Sequence, residues 1–153
     1  MEANSFVIRP FEKGDREKVE SFFKQMGGET RAMFDRNDGN RDNALRFFEG
    51  KDVNTLRWLM LDGERMIGYV FLWDLDTGVP MLGIGVADDC QGKHLGRTLM
   101  KTASDYALSL NKGGIMLTTH LANVRGQGLY ERCGYERIGL HTSGEALYLL
   151  RFR

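Results

Sequence analysis

The beginning of the chain shows one short strand and then helical spacing of apolar residues. The run 6–9 predicts a strand that Pro10 stops, because proline has no N–H to donate to a sheet. Asp15 predicts the N-cap of a helix that ends at 27–28, a pair of glycines. Four apolar residues recur within it at helical spacing: Val19, Phe22, Phe23 and Met26.

The segment 29–43 is polar and charged, and its apolar residues follow no clear period. The sequence Asn-Asp-Gly-Asn at 37–40 is typical of a turn. Apolar residues return after it, which predicts a second short helix over about 42–49.

From residue 55 onward the pattern is mainly that of strands. Apolar and polar residues alternate up to Asp62 and Gly63, which are typical of a hairpin turn. The nearly continuous apolar run 66–73 predicts a central strand covered on both faces. The remaining predicted strands are Met81–Val86, 115–121, 135–140 and 146–152.

Two further helices are predicted between these strands. The shorter one covers 125–133, and the longer one is ended by Gly113 and Gly114. The longer helix has a buried stripe of five residues: Leu95, Leu99, Ala103, Tyr106 and Leu110. The order β-α-α-β-β-β-α-β-α-β-β predicts one α/β (α+β) domain over residues 1–153, with helices packed on a mixed sheet.

Composition narrows the class of protein without naming a ligand. Of 153 residues, 42% are apolar and 27% charged, as in a folded globular protein, and the formal net charge is zero. We therefore expect no nucleic acid or membrane partner. Cys90 and Cys133 lie in no metal-ligand spacing, so no metal site is expected. With no signal peptide at the start and no apolar run near the roughly 20 residues of a membrane span, a cytoplasmic location is expected.

The segment 86–100 carries the most chemical information. It passes from an apolar strand through the polar turn Gln-Gly-Lys-His-Leu-Gly at 91–96 into the longer helix. The first backbone N–H groups of a helix lack intrahelical partners and lie at the positive end of its dipole. The segment therefore predicts an anion site, and a phosphate-bearing ligand is the first hypothesis.

Several interpretations of this turn are open from the residues alone. The GxxxxGK[ST] string of a nucleoside-triphosphate site is absent. A dinucleotide motif could begin at Gly83 and Gly85, but those glycines lie within the strand, and Asp88 stands where the third glycine belongs. A plain strand-to-helix turn with no ligand also fits.

Two motifs resemble those of the GNAT acetyltransferases. The turn 91–96 is similar to the family's Gln/Arg-x-x-Gly-x-Gly/Ala signature, with His94 in place of the first glycine. Residues 123–135 are similar to its Asn-x-x-Ala-x-x-Leu-Tyr-x-x-x-Gly-Phe segment, with Gly126 and Tyr135 as departures. The opening Ile-Arg-Pro at 8–10 is also common in the family. The resemblance covers essentially the whole chain, in the family's element order.

The resemblance implies acetyl-CoA as the acetyl donor, bound between two splayed central strands. The strand Met81–Val86 would bond the pantetheine arm, and Ile84 or Val86 would offer a backbone N–H to the thioester oxygen. Asn123 would also contact the cofactor, or cap the following helix. The pyrophosphate would lie on Gln91, Gly92, Lys93, His94, Leu95, Gly96, Arg97 and Thr98, of which Lys93 and Arg97 add positive charge.

His94 is the position where the signature is broken. Glycine lets a backbone approach phosphate closely, and a side chain could crowd it. At a helix N-terminus we expect negative φ, so the histidine should be unstrained and its ring free to turn away or to donate to phosphate.

The resemblance also implies catalytic roles. Tyr130 occupies the position of a tyrosine that acts as general acid toward the departing thiolate, which its reference pKa of about 10 allows. An alkylamine is almost fully protonated at neutral pH, so a base is needed. His120, at the end of a strand facing the splay, is the first candidate; Glu29, Asp74 and a water chain are weaker ones.

The acceptor would be a primary amine of a small molecule or peptide, contacted by the segments 27–50 and 74–78. Glu29 and Asp74 give this side some acidic character, and Trp73 could line the pocket. A homodimer through the terminal strand is left open. The rival interpretation is a non-catalytic acyl-CoA-binding sensor or regulatory module, which the missing strand glutamate and His94 keep open.

Overall fold

The computed structural model describes residues 6–34 and 39–153. Seven strands form one mixed sheet on which helices pack, as the sequence predicts. The strands are β1 (Val7–Pro10), β2 (Leu56–Asp62), β3 (Arg65–Trp73), β4 (Met81–Val86), β5 (Gly114–Thr119), β6 (Glu136–Leu140) and β7 (Ala146–Arg151). The described α-helices are α1 (Arg16–Lys24), α2 (Gly28–Phe34), α3 (Gly39–Leu45), α4 (Leu95–Ser109) and α5 (Val124–Arg132).

The sheet consists of two antiparallel ladders that meet at its centre. Its strand order is β1-β2-β3-β4-β5-β7-β6, and β4 and β5 form the parallel pair. That pair is joined only by Met81 opposite Met116, after which the two strands diverge. The predicted splay of the central strands is therefore present, and it opens toward the carboxyl ends of β4 and β5.

The strand β3 forms the core of the first ladder, as its continuous apolar run predicts. Tyr69 is fully buried, and the rings of Phe22 and Phe23 on α1 lie 6.5 and 5.9 Å from its ring centre. On the opposite face, a Cβ at Gly68 would come within 2.8 Å of Leu99 on α4. Glycine at 68 thus lets α4 pack closely on the sheet.

Two buried ion pairs hold the segments around α1. Asp15 is the N-cap residue of α1, as predicted, but its carboxylate accepts hydrogen bonds from Arg9 (2.8 Å, twice) and from the Glu12 N–H instead of capping the helix. Arg57 on β2 donates to Asp52 (2.7 and 3.0 Å) and to the Tyr69 hydroxyl (2.7 Å). Both pairs fix loops against the antiparallel ladder of β1 to β4.

The polar segment before β2 differs from its prediction. Of the turn predicted at 37–40, residues 37 and 38 lie outside the described residues, while Gly39 and Asn40 begin α3. The helix predicted over 42–49 is split into α3 and a 3-10 turn, Arg46–Glu49, which Gly50 ends at φ +69°. The aromatic rings of Phe47 and Phe48 pack against Phe11, which explains the tighter turn.

The ends of α4 and β5 also differ from their predictions. The helix α4 ends at Ser109, because Asn111 takes the left-handed conformation (φ +60°) that was predicted for the two glycines. Lys112 N–H then donates to Ala107 C=O, as in a Schellman cap. Leu110 consequently lies past the helix and is 42% exposed, not buried. The strand β5 ends at Thr119, two residues early.

Candidate active site

The backbone of β4 presents polar groups to the opening between β4 and β5. Ala87 N–H donates to Ile67 C=O on the β3 side, whereas Pro80 C=O accepts from Met116 N–H on the β5 side. Because backbone groups alternate in direction along a strand, Ile84 and Val86 face the β5 side. Both lie beyond the last β4–β5 pair, so their N–H groups border the open cleft.

The turn 91–96 leads into α4 and leaves backbone donors unpaired. In the described part of the chain, no backbone or side-chain acceptor takes the N–H groups of residues 93–96. They lie at the amino end of a 15-residue helix, where the helix dipole favours an anion. Lys93, Arg97 and Thr98 are exposed around this end. These unpaired N–H groups and exposed cations could accommodate an anion, as the sequence predicts for this turn.

His94 contradicts the expectation about its backbone. It is the residue preceding α4 and has φ +64° and ψ +15°, in the left-handed region. The helix begins at Leu95, so His94 lies in the turn, which also holds Gly92 at φ +81° and must bend through His94. The first signature glycine thus stands where positive φ is needed, and histidine carries strain there.

Gln91 ties the turn to three other elements. Its Nε2 donates to Val86 C=O on β4 (3.1 Å) and to the Thr30 hydroxyl on α2 (3.4 Å). Its Oε1 accepts from Arg125 on α5 (3.1 Å). The side chain of Gln91 therefore braces the turn, and a phosphate would be left to the backbone and to the cations.

The second signature glycine has a packing role. A Cβ at Gly96 would come within 2.9 Å of Leu129 Cδ2, so glycine lets the start of α4 lie against α5. The two sequence motifs therefore meet in space. The 91–96 turn is positioned directly by the helix that carries Tyr130.

Asn123, Thr119 and Tyr130 lie together at the cleft, and hydrogen bonds fix the first two. The Oδ1 of Asn123 accepts from Gly126 N–H (3.0 Å), which caps α5 and fixes the amide so that Nδ2 donates to Thr119 Oγ1 (3.0 Å). Thr119 in turn lies beside the phenol of Tyr130, and both side chains line the cavity described below. A Cβ at Gly126 would clash with the Asn123 amide, so glycine, where the family pattern has alanine, makes room for this arrangement.

Tyr130 is 7% exposed and reaches the cleft from α5. Burial raises the pKa of Tyr130 to about 12, and the hydrogen bond from Thr119 opposes that rise. The hydroxyl is therefore protonated throughout the neutral range. It therefore carries a proton that it can donate to a leaving group in the cavity.

A cavity of about 610 Å³ occupies the opening between the two ladders. It brings together Ile84, Asn123, Tyr130, His120 and Trp73, all of which the sequence predicts as site residues. Other residues that line it are Phe34, Phe71, Gly83, Thr118, Thr119, Leu121, Ser143, Gly144 and Glu145. The cavity thus lies between β4, the strand that would bind the cofactor, and several aromatic side chains.

Two predicted acceptor residues are not brought to this cavity. Glu29 is exposed on α2, and Asp74 is exposed in the turn after β3 at φ +55°, where its C=O accepts from Thr77. Neither side chain lines the cavity. Both residues were predicted from the acidic composition of their segments, and in the structure both carboxylates are exposed to solvent.

His120 lies in the cavity, but one ring nitrogen is already engaged. Its Nδ1 accepts from Ala122 N–H (3.1 Å), so in the neutral ring the proton lies on Nε2. To act as a base, His120 would have to take a proton at Nδ1 and lose this bond. The ring is better arranged to donate from Nε2.

Sequence reasoning missed Thr119, Arg125 and Glu145. Thr119 stands four residues before Asn123. If Asn123 is taken as the helix cap, this short separation could have indicated that the two side chains are close. Glu145 lies in the polar hairpin between β6 and β7, and only the pairing of Thr119 with Ala146 places it beside His120. No local pattern in the sequence indicates that contact.

The opened mixed sheet, the unpaired N–H groups at the start of α4 and the buried tyrosine fit an acyl-CoA-dependent transferase. The sequence profile of the acetyltransferase (GNAT) family matches residues 22–135. The chain belongs to this family, and it is an N-acetyltransferase with acetyl-CoA as donor.

Solved structures show the same fold at low sequence identity. The GNAT domain of S. lividans PAT matches with a TM-score of 0.82 and 15% identity, covering 99% of both chains. PaiA N-acetyltransferase from Thermoplasma acidophilum, in complex with coenzyme A, gives 0.78 and 14%, covering 96% of this chain and 99% of that one. Spermidine N-acetyltransferase from Vibrio cholerae, with CoA and spermine, gives 0.75 and 21%, covering 95% and 94%.

No curated protein matches the chain in sequence. Within residues 6–34 and 39–153, none of the helices has the length and apolar character needed to cross a membrane. The same residues contain no group of three or more His, Cys, Asp or Glu side chains that could hold a metal ion.

Proposed function

We propose that the chain transfers the acetyl group of acetyl-CoA to a primary amine of a small molecule or peptide by direct attack. The observation that carries this proposal is the position of Tyr130, buried beside Thr119 at the opening between β4 and β5. The amine acceptor is also supported by the spermine bound to the Vibrio neighbour.

The residues of the cleft fit acetyl-CoA. The N–H groups of Ile84 and Val86 border the splay and would bond the pantetheine arm. The unpaired N–H groups at 93–96, with Lys93 and Arg97, would hold the pyrophosphate. When bound, acetyl-CoA supplies an activated acyl carbon. A backbone N–H of Ile84 or Val86 would stabilise the negative charge that develops on the thioester oxygen.

The Thr119 hydroxyl beside Tyr130 would set the direction in which Tyr130 can donate. Thr119 Oγ1 accepts from Asn123, so its own proton is available for the oxygen of Tyr130. The phenolic proton of Tyr130 is then free to point into the cavity. Tyr130 would donate that proton to the departing thiolate, as a positioned general acid.

The acceptor amine must lose a proton before attack. Since the Nδ1 of His120 is occupied by Ala122 N–H, the geometry favours proton loss to water in the cavity over direct transfer to His120. The Nε2–H of His120 would orient that water. His120→Ala should then lower turnover without removing the acidic limb of the pH–rate profile; loss of that limb would make His120 the base.

The test is thiol release from acetyl-CoA across a panel of amines, with Tyr130→Phe beside the wild type. We expect the variant to lower kcat about a hundredfold and to bind acetyl-CoA as tightly by calorimetry. Tyr106→Phe is the matched control, because that ring packs on Trp58, away from the cavity. Tight acetyl-CoA binding with no release for any amine would favour the sensor.

We also propose a cytoplasmic location and leave open a homodimer. Both cysteines are free thiols, in line with a reducing compartment. The terminal strand β7, through which the sequence left a dimer open, lies between β5 and β6 and is not an edge. The edge strand is β6, which is exposed and carries Ile138 and Leu140 at 46% and 61% exposure. Light scattering at several concentrations, with Leu140→Lys as comparison, tests association through that edge.

A further inference from the structure

One side of the cavity is a wall of aromatic rings. Phe71 and Trp73 on β3 are stacked with ring centres 5.2 Å apart, and Phe71 stacks in turn on Tyr69 at 4.8 Å. Phe34, at the end of α2, extends the wall. Phe71 is stacked between Tyr69 and Trp73, and the Arg57 guanidinium already lies over its ring (5.5 Å), so the wall offers the cavity an apolar surface.

The wall is held flat against β4 by two glycines. A Cβ at Gly83 would lie 2.5 Å from the ring of Phe71, and one at Gly85 would lie 2.7 Å from the ring of Phe34. The rings therefore occupy the space that side chains of β4 would otherwise fill. As a result the wall begins directly beside the strand that would carry the pantetheine arm.

A single carboxylate stands on the other side of the cavity, among the described residues that line it. Glu145 lies where the β6–β7 hairpin enters β7, next to the Thr119–Ala146 pair. Its Oε1 accepts from the Ser143 hydroxyl (3.3 Å), and no Lys or Arg of the described chain forms an ion pair with it. Its charge acts on Tyr130, raising the pKa of that phenol slightly, so it lies near the proposed chemistry.

The described lining of the cavity carries a negative charge and no positively charged lysine or arginine. Besides Glu145, its described titratable lining groups are His120 and Tyr130, and none of its described lining residues is a lysine or arginine. A carboxylate on the acceptor would therefore meet repulsion from Glu145 and no compensating cation. An ammonium group would meet attraction from Glu145, and its carbon body would contact the apolar wall.

We propose that the acceptor is an organic cation with an apolar carbon body and no carboxylate beside its amine. Glu145 binds the ammonium group, and Phe34, Phe71 and Trp73 hold the carbon body. Glu145 is thus a specificity-determining residue that separates simple amines from α-amino acids. This inference rests on the proposed acetyl transfer, whose acceptor it specifies.

The sharpest probe is a pair of compounds that differ by one carboxylate, 2-phenylethylamine and L-phenylalanine. We expect the wild type to prefer 2-phenylethylamine at least about tenfold in kcat/KM. Glu145→Gln should reduce that preference about fivefold, mainly through a higher KM for 2-phenylethylamine, with the KM for acetyl-CoA unchanged. Glu136→Gln, an exposed glutamate of β6, is the matched control and should leave the preference intact.

A binding measurement separates this inference from the proposed function. Calorimetric titration of the CoA-loaded protein with 2-phenylethylamine should show binding that weakens about fivefold in Glu145→Gln. Wild-type turnover with a preference that Glu145→Gln does not change would overturn the inference and keep the acetyltransferase. Binding of 2-phenylethylamine that depends on Glu145, without turnover of any amine, would overturn the proposed function alone. A wild-type preference for L-phenylalanine would refute the acceptor class.

Discussion

Replacing His94 with glycine should stabilise the protein, although it removes a side chain from the cofactor-binding turn. His94 is exposed, makes no capping hydrogen bond to α4 and has φ +64°. A residue with a Cβ pays roughly 1–2 kcal/mol in the left-handed region relative to its preferred conformations. Since no cap is lost, relief of that strain is the main effect of His94→Gly on the folded state.

The expected gain is smaller than the strain, because glycine also gives the unfolded chain more freedom. That freedom costs roughly 0.5–1 kcal/mol, which leaves a net stabilisation of about 0.5–1 kcal/mol. For a chain of this length, such a change raises Tm by about 2 °C. The affinity for acetyl-CoA should stay within about threefold, because the N–H groups that would bind phosphate keep their positions.

Denaturant unfolding and calorimetry of three variants test this reasoning. His94→Ala keeps a Cβ and should change stability by less than about 0.5 kcal/mol. Gly92→Ala, at φ +81° with open space around its Cβ, should lose about 1–2 kcal/mol through strain alone. Equal stabilisation by alanine and glycine at position 94, or destabilisation by glycine, would refute the strain argument.

Three further perturbations follow from the structure. Thr119→Val should lower kcat about tenfold by releasing Tyr130, and Thr119→Ser should restore it; steady-state kinetics with equal rates in both variants would contradict the relay. Gly83→Ala should cost about 1–3 kcal/mol in urea unfolding, because the ring of Phe71 blocks its Cβ. Asp15→Asn should cost about 2–4 kcal/mol at neutral pH. The Arg9 guanidinium holds the pKa of Asp15 below its usual range, so this stabilisation is present above about pH 4 and lost as pH falls further; a wild-type and variant difference that does not shrink in acid would contradict it.

The elements with strong local periods could be predicted from the sequence. The apolar run of β3, the Asp-Gly turn before it and the stripe of α4 at Leu99 and Ala103 all match the structure. Their burial is decided by alternation and helical spacing, which short segments carry within themselves. The segment between α1 and β2 could not be resolved in this way, because its structure depends on aromatic packing against distant residues such as Phe11.

The site residues also divide into those that local sequence patterns predict and those that only the tertiary structure brings together. The turn at 91–96 and the Asn123–Tyr130 motif are local patterns, and the structure places them side by side through Gly96 and Leu129. Glu145 is different, because its neighbourhood arises from the register of β5 and β7. The backbone of His94 was predicted wrongly, because His94 precedes α4 and lies in the turn, where φ is positive.

The single Met81–Met116 pair makes the centre of the sheet a point of mechanical compliance. Each ladder is held internally by many hydrogen bonds. The junction is held by the Met81–Met116 pair, by the bonds from Met116 N–H to Pro80 C=O and from Gly113 N–H to Gly78 C=O at its base, and by α4, which packs on both sides. A ligand that fills the splay adds backbone hydrogen bonds where the sheet has the fewest. By mass action, a ligand at a hundred times its dissociation constant raises the unfolding free energy by about 2.7 kcal/mol. Cofactor binding to the amide groups that border the gap is therefore coupled to the rigidity and stability of the whole sheet.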